Sequence, residues 1–355
     1  MAPFIYEPIN TRVIFGAGSL EQVGAEASKI GSRFLILSTP PQLALANQIS
    51  AMLGPLSAGV HGEAVMHVPV ETAQTAIARA RSLSVDGLIA AGGGSTTGLA
   101  KAIALETELP ILAIPTTYAG SEMTPIWGLT QNGVKKTGKD KRVLPRTAIY
   151  DPNLTLGLPA LMSGVSGLNA IAHCVEGLYS EQANPLVSIM AEEGIRALGQ
   201  SLPVIVKRPD DIEARSNALY GAWLGGVVLG SVGMALHHKL CHTFGGTFNL
   251  PHAETHAIVL PHAVAYNERA APEAMTRIAR ALGSSSASQG LFDLLVAIGA
   301  PRALKDIGMP VDAGGRVVEL TLTNPYYNPA PLIEERLSLL VENAIHGRRP
   351  DPIGD

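Results

Sequence analysis

The sequence predicts an α/β nucleotide-binding domain over residues 1–155 and an all-helical domain over residues 156–355. In the first part, short apolar segments end in glycine or hydroxyl residues, a pattern typical of strands in a parallel sheet. Beyond residue 159, apolar residues recur with the period of a helix over 160–206, 211–245 and 252–283, and again after 288, without a clear strand. The change in periodicity places the boundary near residue 155.

Composition and charge argue against several classes of function. Charged residues make up 16% of the 355 residues, hydrophobic residues 46%, and the formal net charge is −4. This balance gives no electrostatic reason to expect nucleic acid or an anionic membrane as a partner. No apolar run reaches the length of a membrane span, and the first residues lack the features of a signal peptide, so we expect a cytoplasmic enzyme. The two cysteines, Cys174 and Cys241, are then expected as buried thiols rather than a disulfide.

The first apolar segments predict strands that end near a nucleotide. Residues 12–15 form a β-like segment before Gly16-Ala-Gly18, but a lone G-x-G without a third glycine is weak evidence for a phosphate loop. Residues 34–38 form a second strand with Ser38 at its carboxyl end, where ligands gather in doubly wound sheets. No acidic residue there marks the ribose, so the sequence does not separate NADH from NADPH.

A stronger phosphate signal follows residues 87–92, where an apolar strand continues into Gly93, Gly94 and Ser95 before a helical run. Glycine permits close backbone approach, and a helix N-terminus offers free N–H groups to a pyrophosphate. The next strand ends in Thr116 and Thr117, with Ser121 shortly after. We expect these hydroxyls to border the nicotinamide ribose, although such clusters also cap helices.

Three further segments carry less specific expectations. Lys101, on the helix after the glycines, faces either phosphate or substrate, or is a solvated helix lysine. Residues 135–142 are charged and contain glycine, which predicts a solvated hairpin, and residues 146–153 predict a last strand and turn. The polar residues 347–355 are expected to fray.

Histidines are concentrated in residues 237–262, which contain six of the ten in the chain. His238 and His242 are four residues apart and share one helical face, and His252 follows a Gly-Gly pair and a proline that indicate a turn. Asn169 and His173 form a second pair at the same spacing. His237 points away from His238 on a helix and is expected at the surface or an interface. For His256 and His262, core packing and a place in the site remain equal alternatives.

Four separated motifs together resemble the iron-containing alcohol dehydrogenase superfamily, and within it the maleylacetate reductase branch. They are the segments 92–95, 115–117, 167–173 and 250–252, and the similarity extends from Phe15-Gly-Ala-Gly to Asn324-Pro-Tyr. The resemblance implies a dehydroquinate synthase-like fold with a cleft between the two domains. It also implies a homodimer in which an N-terminal strand around Phe4-Ile-Tyr6 extends the sheet of the partner.

The resemblance also implies a metal position that this sequence alters. Metal-dependent members bind Fe or Zn with an Asp and three His, and the matching positions here are Asn169, His173, His238 and His252. An amide oxygen carries no charge and is a weaker ligand than a carboxylate. Maleylacetate reductases resemble this chain in having Asn there. We therefore expect a site that works without metal, the alternative being a retained, weakly bound ion.

By resemblance, the chain uses NADH or NADPH to reduce maleylacetate, a small dianionic keto acid, to 3-oxoadipate in bacterial aromatic catabolism. His242 and His252 are the first candidates for proton donation and enolate stabilisation, and His173 and His238 line the same pocket. Asn169, Lys101 and Tyr326, the last in a loop over 324–329, are expected to contact substrate. The alternatives are a metal-dependent dehydrogenase of a small alcohol and a catalytically decayed nucleotide-binding protein. A sugar-phosphate enzyme is disfavoured because no additional basic cluster is apparent.

Overall fold

The computed structural model describes residues 3–131, 134–323 and 325–351, and the side chains of residues 134 and 135 lie outside that description. The chain divides into two compact units. One is Pro8–Leu158, and the other combines Met1–Glu7 with Pro159–Asp355. The division of the sequence into domains at residue 155 stays a prediction, since compactness alone does not show independent folding. The predicted tail beyond Gly347 is described as far as Asp351, and residues 352–355 lie outside the described part.

Strands and four helices alternate through most of the Pro8–Leu158 unit. The strands are β1 (Arg12–Phe15), β2 (Phe34–Leu37), β3 (Ser57–His61), β4 (Gly87–Gly92), β5 (Ile111–Pro115), β6 (Ile126–Gln131), β7 (Val134–Lys139) and β8 (Thr147–Tyr150). The helices are α1 (Val23–Ala27), α2 (Leu43–Leu53), α3 (Val70–Ser82) and α4 (Gly94–Thr107). The sequence predicted β1, β2, β4, β5 and β8, but not β3 or β6.

Six of these strands form one parallel sheet in the order β1-β8-β5-β4-β2-β3. Leu35 and Leu37 of β2 pack in a core with α3 and α4. The alternate residues Phe34 and Ile36 pack on the other face with α1 and α2. A parallel sheet covered on both faces needs apolar residues at every strand position, which explains the uninterrupted apolar runs of the sequence. The α/β prediction for this part of the chain is confirmed.

One prediction for an exposed segment is corrected, and another stays a prediction. The hairpin expected over residues 135–142 is instead β6 paired antiparallel with β7, so it begins at Ile126 and ends at Lys139. Its connecting residues, 132 and 133, lie outside the described part. The β-like segment around Phe4 forms no strand within the described residues 3–11, and the Ile5 side chain is 88% exposed. A β-strand needs a hydrogen-bonding partner, so a strand that extends a second chain stays a prediction.

Helices build the described part of the second unit. They are α5 (Ala160–Leu178), α6 (Pro185–Lys207), α7 (Ile212–Ser231), α8 (Leu236–Phe248), α9 (His252–Asn267), α10 (Pro272–Leu282), α11 (Ala287–Ala297), α12 (Gly314–Thr323) and α13 (Glu334–His346). The all-helical prediction is confirmed. Within the described residues, no single helix has the length and apolarity of a membrane span, and α7 with α8 meets that test only as a pair bent by 95°.

The long α5 carries part of the predicted site and packs against α6, α7 and α9. Its approach to α7 is close, because a Cβ on Gly225 would lie 2.8 Å from the backbone oxygen of Ala170. The helical run predicted over 160–206 is in fact broken after α5. Asn184 accepts a hydrogen bond from the N–H of Val187 at 3.1 Å and Pro185 occupies the first turn, so a new helix begins there.

Candidate active site

The carboxyl ends of β4 and β5 lie side by side in the Pro8–Leu158 unit. The Thr116 N–H donates to the Gly92 carbonyl at 3.1 Å. Gly92 has a φ of +154°, and a Cβ there would lie 2.4 Å from Oγ1 of Thr96, so a side chain would be both strained and obstructed. Helix α4 begins at Gly94 with Gly93 at its N-cap and no capping side chain. The N–H groups of its first turn are therefore suited to a phosphate.

Hydroxyl side chains surround this glycine loop. A Cβ on Gly93 would lie 3.0 Å from the Thr117 side chain, and Oγ1 of Thr116 accepts a hydrogen bond from Nε2 of Gln42 at 2.7 Å. The buried Ser38 hydroxyl instead donates to a β4 carbonyl at 3.2 Å, so it joins β2 to β4. Gln42 was not predicted from the sequence. Its place just after the carboxyl end of β2 was the signal that could have identified it.

Lys101 does not occupy either of its predicted environments. Its side chain on α4 is buried, and Nζ donates to the carbonyls of Ser121, Thr124 and Ile126 at 2.6, 2.8 and 2.8 Å. Burial lowers the pKa of Lys101 to about 7. The prediction of a ligand to phosphate or substrate is corrected, and so is the alternative of a solvated lysine. The ammonium is committed to the backbone segment that follows β5 and contains Ser121.

In the other unit, three helices supply the predicted histidine site. Helix α5 carries Asn169 and His173, α8 carries His238 and His242, and α9 begins with His252. The rings of His173 and His238 stack with centroids 5.2 Å apart, and those of His238 and His242 are 6.1 Å apart. The spacing of four residues thus brings the α5 and α8 faces together, as predicted from the sequence. The chain turns at a left-handed Asn249, not at the glycine pair, which lies within α8.

These side chains differ sharply in exposure. His242 and His252 are exposed, whereas Asn169, His173 and His238 are 5%, 3% and 5% exposed. Three buried atoms, Oδ1 of Asn169, Nδ1 of His173 and Nε2 of His238, have no hydrogen-bond partner among the described residues. Burial, with the neighbouring His238 and His252, lowers the pKa of His173 well below 6.5, so its ring is neutral at pH 7. Because buried polar atoms are normally hydrogen-bonded, a polar ligand or water belongs here.

The prediction that His237 lies at the surface is wrong. The side chain is fully buried, and its Nε2 lies 3.0 Å from Nδ1 of His256. The ring of His256 in turn lies 4.3 Å from that of His252, which connects this pair to the exposed part of the cluster. Burial lowers the pKa of both His237 and His256 well below 6.5. The prediction assumed one buried face of α8, but α9 and α12 both pack against it.

His262 and the cysteines are buried as well. Burial lowers the pKa of His262, further along α9, to about 4. Both Cys174 and Cys241 are free thiols, which confirms that they form no disulfide. Sγ of Cys241 lies 3.7 Å from Nε2 of His237. Burial raises the pKa of the Cys174 thiol to about 12 and that of Cys241 well above 9.

Glu176, which was not predicted from the sequence, contacts the histidine cluster. Its fully buried carboxylate accepts hydrogen bonds from the N–H groups of Ala235 at 2.9 Å and His237 at 2.7 Å, at the start of α8. It also lies 2.6 Å from Nδ1 of His238. Since the carboxylate is the acceptor in each contact, Nδ1 of His238 carries a proton and Nε2 faces the site. The signal was its position seven residues after Asn169, on the same face of α5.

Tyr326 approaches the histidines from the loop after α12. Its hydroxyl lies 3.3 Å from Nδ1 of His242. The loop is fixed where Asn328 and Asn267, at the end of α9, exchange amide hydrogen bonds of 2.9 and 2.8 Å. The prediction of Tyr326 at the substrate site is compatible with this placement and stays a prediction. Asn324, the first residue of the predicted loop, lies outside the described residues.

The side chains at the implied metal position include no free carboxylate. Asn169 and the three imidazoles at the implied ligand positions carry no negative charge, and the carboxylate of Glu176 is already occupied. Among the described residues, the only His, Cys or acidic trio with donor atoms within 4.8 Å of one another is His237, Cys241 and His256. There the two rings hydrogen-bond to each other, and the raised thiol pKa keeps Cys241 protonated. A metal site needs deprotonated ligands, so the protonated thiol disfavours this trio, whereas the implied set of Asn169 and three imidazoles differs from that of the metal-dependent members in lacking the carboxylate.

Comparison with known proteins identifies the family. The family model for iron-containing alcohol dehydrogenases matches residues 10–152, and the C-terminal model of the Fe-containing alcohol dehydrogenase family matches residues 164–345. Maleylacetate reductases of Sphingobium indicum and Burkholderia cepacia are 55% and 56% identical to the chain. They align over 98% and 99% of it and over 99% and 100% of their own lengths. The chain belongs to the maleylacetate reductase branch of the iron-containing alcohol dehydrogenase family. It is an oxidoreductase.

The fold comparison agrees with this membership. The crystal structure of maleylacetate reductase from Agrobacterium tumefaciens matches with a TM-score of 0.96 at 50% identity, covering 99% of this chain and 100% of that one. A maleylacetate reductase from a Rhizobium strain matches with a TM-score of 0.95 at 48% identity, covering 99% of this chain and 100% of that one. The sequence-based assignment to this branch, and the α/β and helical architecture that it implied, are both confirmed.

Proposed function

We propose that the protein reduces the carbon–carbon double bond of maleylacetate to give 3-oxoadipate, with NADH or NADPH as the reductant and without a metal ion. The observation that carries the proposal is the set of buried atoms without hydrogen-bond partners on Asn169, His173 and His238. It supports binding of a hydrogen-bonding group rather than an apolar group. The high identity to maleylacetate reductases supports the choice of substrate.

The proposed chemistry requires three contributions. A bound reduced nicotinamide would supply the hydride for the carbon β to the ketone, and the side chains of the site would stabilise the resulting enolate oxygen and deliver a proton to the α carbon. The glycine loop from Gly93 to Ser95, with Thr116, Thr117, Ser121 and Ser38 near it in sequence or sheet position, is proposed to hold the cofactor. N–H groups of the imidazoles stabilise the enolate oxygen without requiring a Lewis acid.

His242 and His252 are proposed as the proton donors. Both are exposed and can exchange protons with solvent, whereas the lowered pKa of His173 keeps that ring neutral. His238 presents Nε2 as an acceptor unless its ring is protonated, so it is proposed to bind or relay a proton beside the donors. Asn169 is proposed to contact substrate through its side-chain amide. The site would thus operate with the side chains that the structure places on α5, α8 and α9.

The wider setting of the enzyme forms part of the same proposal. We propose that the substrate is an intermediate in the breakdown of aromatic compounds. The enzyme is proposed to act in the cytoplasm, where reduced nicotinamide is available. A homodimer is proposed on the resemblance alone. Light scattering at micromolar concentration tests it, and a monomeric mass removes it.

The experiment is oxidation of NADH and NADPH by the purified protein with maleylacetate and with simple aldehydes, before and after chelator treatment. We expect maleylacetate to be reduced far faster than any aldehyde, with no loss on chelation. His242→Ala and His252→Ala are expected to lower kcat/KM by about 10²-fold or more. His346→Ala, an exposed residue at the end of α13, is the control and should retain activity. Preference for aldehydes, or loss of activity on chelation, would favour the metal-dependent alcohol dehydrogenase.

A further inference from the structure

One cation stands beside the proposed site without an assigned role. Lys239 lies on α8 between His238 and His242 and is half-buried. Its ammonium lies 5.5 Å from the centroid of the Tyr326 ring. Among the described residues, it forms no ion pair with a carboxylate. An aromatic face attracts an ammonium group and restricts a flexible lysine stem, so Tyr326 holds this charge in place.

Tyr326 also connects the ammonium to the histidines. Its hydroxyl lies 3.3 Å from Nδ1 of His242, and the His242 ring lies 6.1 Å from that of His238. Burial, together with Glu176, raises the pKa of Tyr326 above 10, so the phenol remains neutral at pH 7. One aromatic ring therefore contacts both the lysine and an exposed histidine of the site.

The charges of the cluster show why such a cation is needed. The fully buried carboxylate of Glu176 lies 2.6 Å from Nδ1 of His238 and adds a negative charge behind the histidines. A substrate with two carboxylates is repelled by that charge, whereas a lysine ammonium attracts it as a compact point charge.

We infer that Lys239 and Tyr326 form a carboxylate subsite, which makes Lys239 a specificity-determining residue for a dicarboxylate substrate. The ammonium binds one carboxylate, and the Tyr326 ring fixes the distance from that carboxylate to His242. The inference rests on the proposed function and refines it, because it assigns one end of the substrate to one side chain. An alcohol or simple aldehyde would gain nothing from this contact.

The test compares Lys239→Met, which removes the charge, with Lys239→Arg, which keeps it. Substrates are maleylacetate and its two monomethyl esters, each of which lacks one carboxylate. For Lys239→Met we expect the KM for maleylacetate to rise about 10- to 100-fold, a kcat within about threefold of wild type, and an unchanged KM for NADH. Lys239→Arg should recover most of the affinity. Lys207→Met, at an exposed lysine ending α6, is the matched control and should behave as wild type.

The esters make the test specific. The ester that lacks the carboxylate bound by Lys239 should be reduced equally well by wild type and Lys239→Met, whereas the other ester should show the full loss. An equal loss on the diacid and on both esters, or no loss on any of them, overturns the inference. If the wild type does not reduce maleylacetate at all, the proposed function fails instead, so the two failures are distinguishable.

Discussion

Replacement of Glu176 by Gln tests how the buried carboxylate serves both folding and catalysis. In the wild type, Glu176 accepts hydrogen bonds from Nδ1 of His238 and from two backbone N–H groups at the start of α8. An amide has only one acceptor oxygen, and its NH₂ group cannot accept from a donor. If the Gln oxygen takes the His237 N–H, its NH₂ faces Nδ1 of His238 and the N–H of Ala235.

Two effects of different size follow from this geometry. The Ala235 N–H is left buried without an acceptor, which costs about 1–3 kcal/mol of stability. His238 must shift its proton to Nε2 so that Nδ1 can accept from the amide, which reverses the group presented to substrate. In serine-protease triads, the corresponding Asp-to-Asn change lowers kcat by about 10⁴-fold through the wrong tautomer. We expect a loss of about 10²-fold or more here, because other imidazoles line the site.

Urea unfolding measures the first effect and maleylacetate-dependent NADH oxidation the second, while ¹⁵N shifts of the imidazoles report the tautomer. Glu192→Gln is the control, since it removes a carboxylate on α6 that pairs with Arg277 and Arg280 away from these contacts. It should keep wild-type kcat. A folded Glu176→Gln protein with wild-type kcat and an unchanged His238 tautomer would refute the reasoning.

Three further predictions concern charge and burial. Asn169→Asp should bind Zn²⁺ or Fe²⁺, because a carboxylate completes the ligand set, and elemental analysis measures the bound metal. The variant should also lose maleylacetate reduction, because the new carboxylate repels a dianionic substrate. A metal-free, fully active variant contradicts this prediction. The unfolded state binds protons more readily than the folded state at His262, so stability is full above about pH 6.5 and falls as the pH drops toward 4. His262→Leu should flatten that decline in Tm and His346→Leu should not, and equal slopes argue against the assignment. Cys174 and Cys241 should react with a thiol reagent only after unfolding, so rapid reaction of the native protein would contradict their burial.

The sequence predicted features that follow from periodicity and local chemistry. Short apolar segments that end in glycine or hydroxyl residues indicated the sheet, and a spacing of four residues identified the faces carrying His173 and His238. Prediction from the sequence failed at β3, whose residues Ser57–His61 include glycine and are only partly buried. Such a strand gains its stability from pairing with β2, a long-range interaction that has no local signature.

The errors at the candidate site have the same origin. His237 was expected outside because a helix surface was assumed to have one buried face, yet neighbouring helices cover both sides of α8. A buried lysine requires several hydrogen-bond acceptors, and those of Lys101 are carbonyls about 20 residues further along the chain. Because these acceptors are distant in the sequence, Lys101 was expected near phosphate or solvent. Glu176 was missed because its partners lie on another helix. In each case the decisive contact is made across the fold.

The buried Lys101 gives α4 a mechanical role. The glycine loop lies at the first turn of the helix, and two turns later Nζ of Lys101 donates hydrogen bonds to three carbonyls of the segment after β5. Helix α4 thus joins both segments that are proposed to contact the nucleotide, so the distance between them is fixed in the absence of nucleotide. Substitution of Lys101 would change that distance rather than remove a contact with the nucleotide. Through α4, a small displacement at the glycines would also move the segment after β5 that contains Ser121.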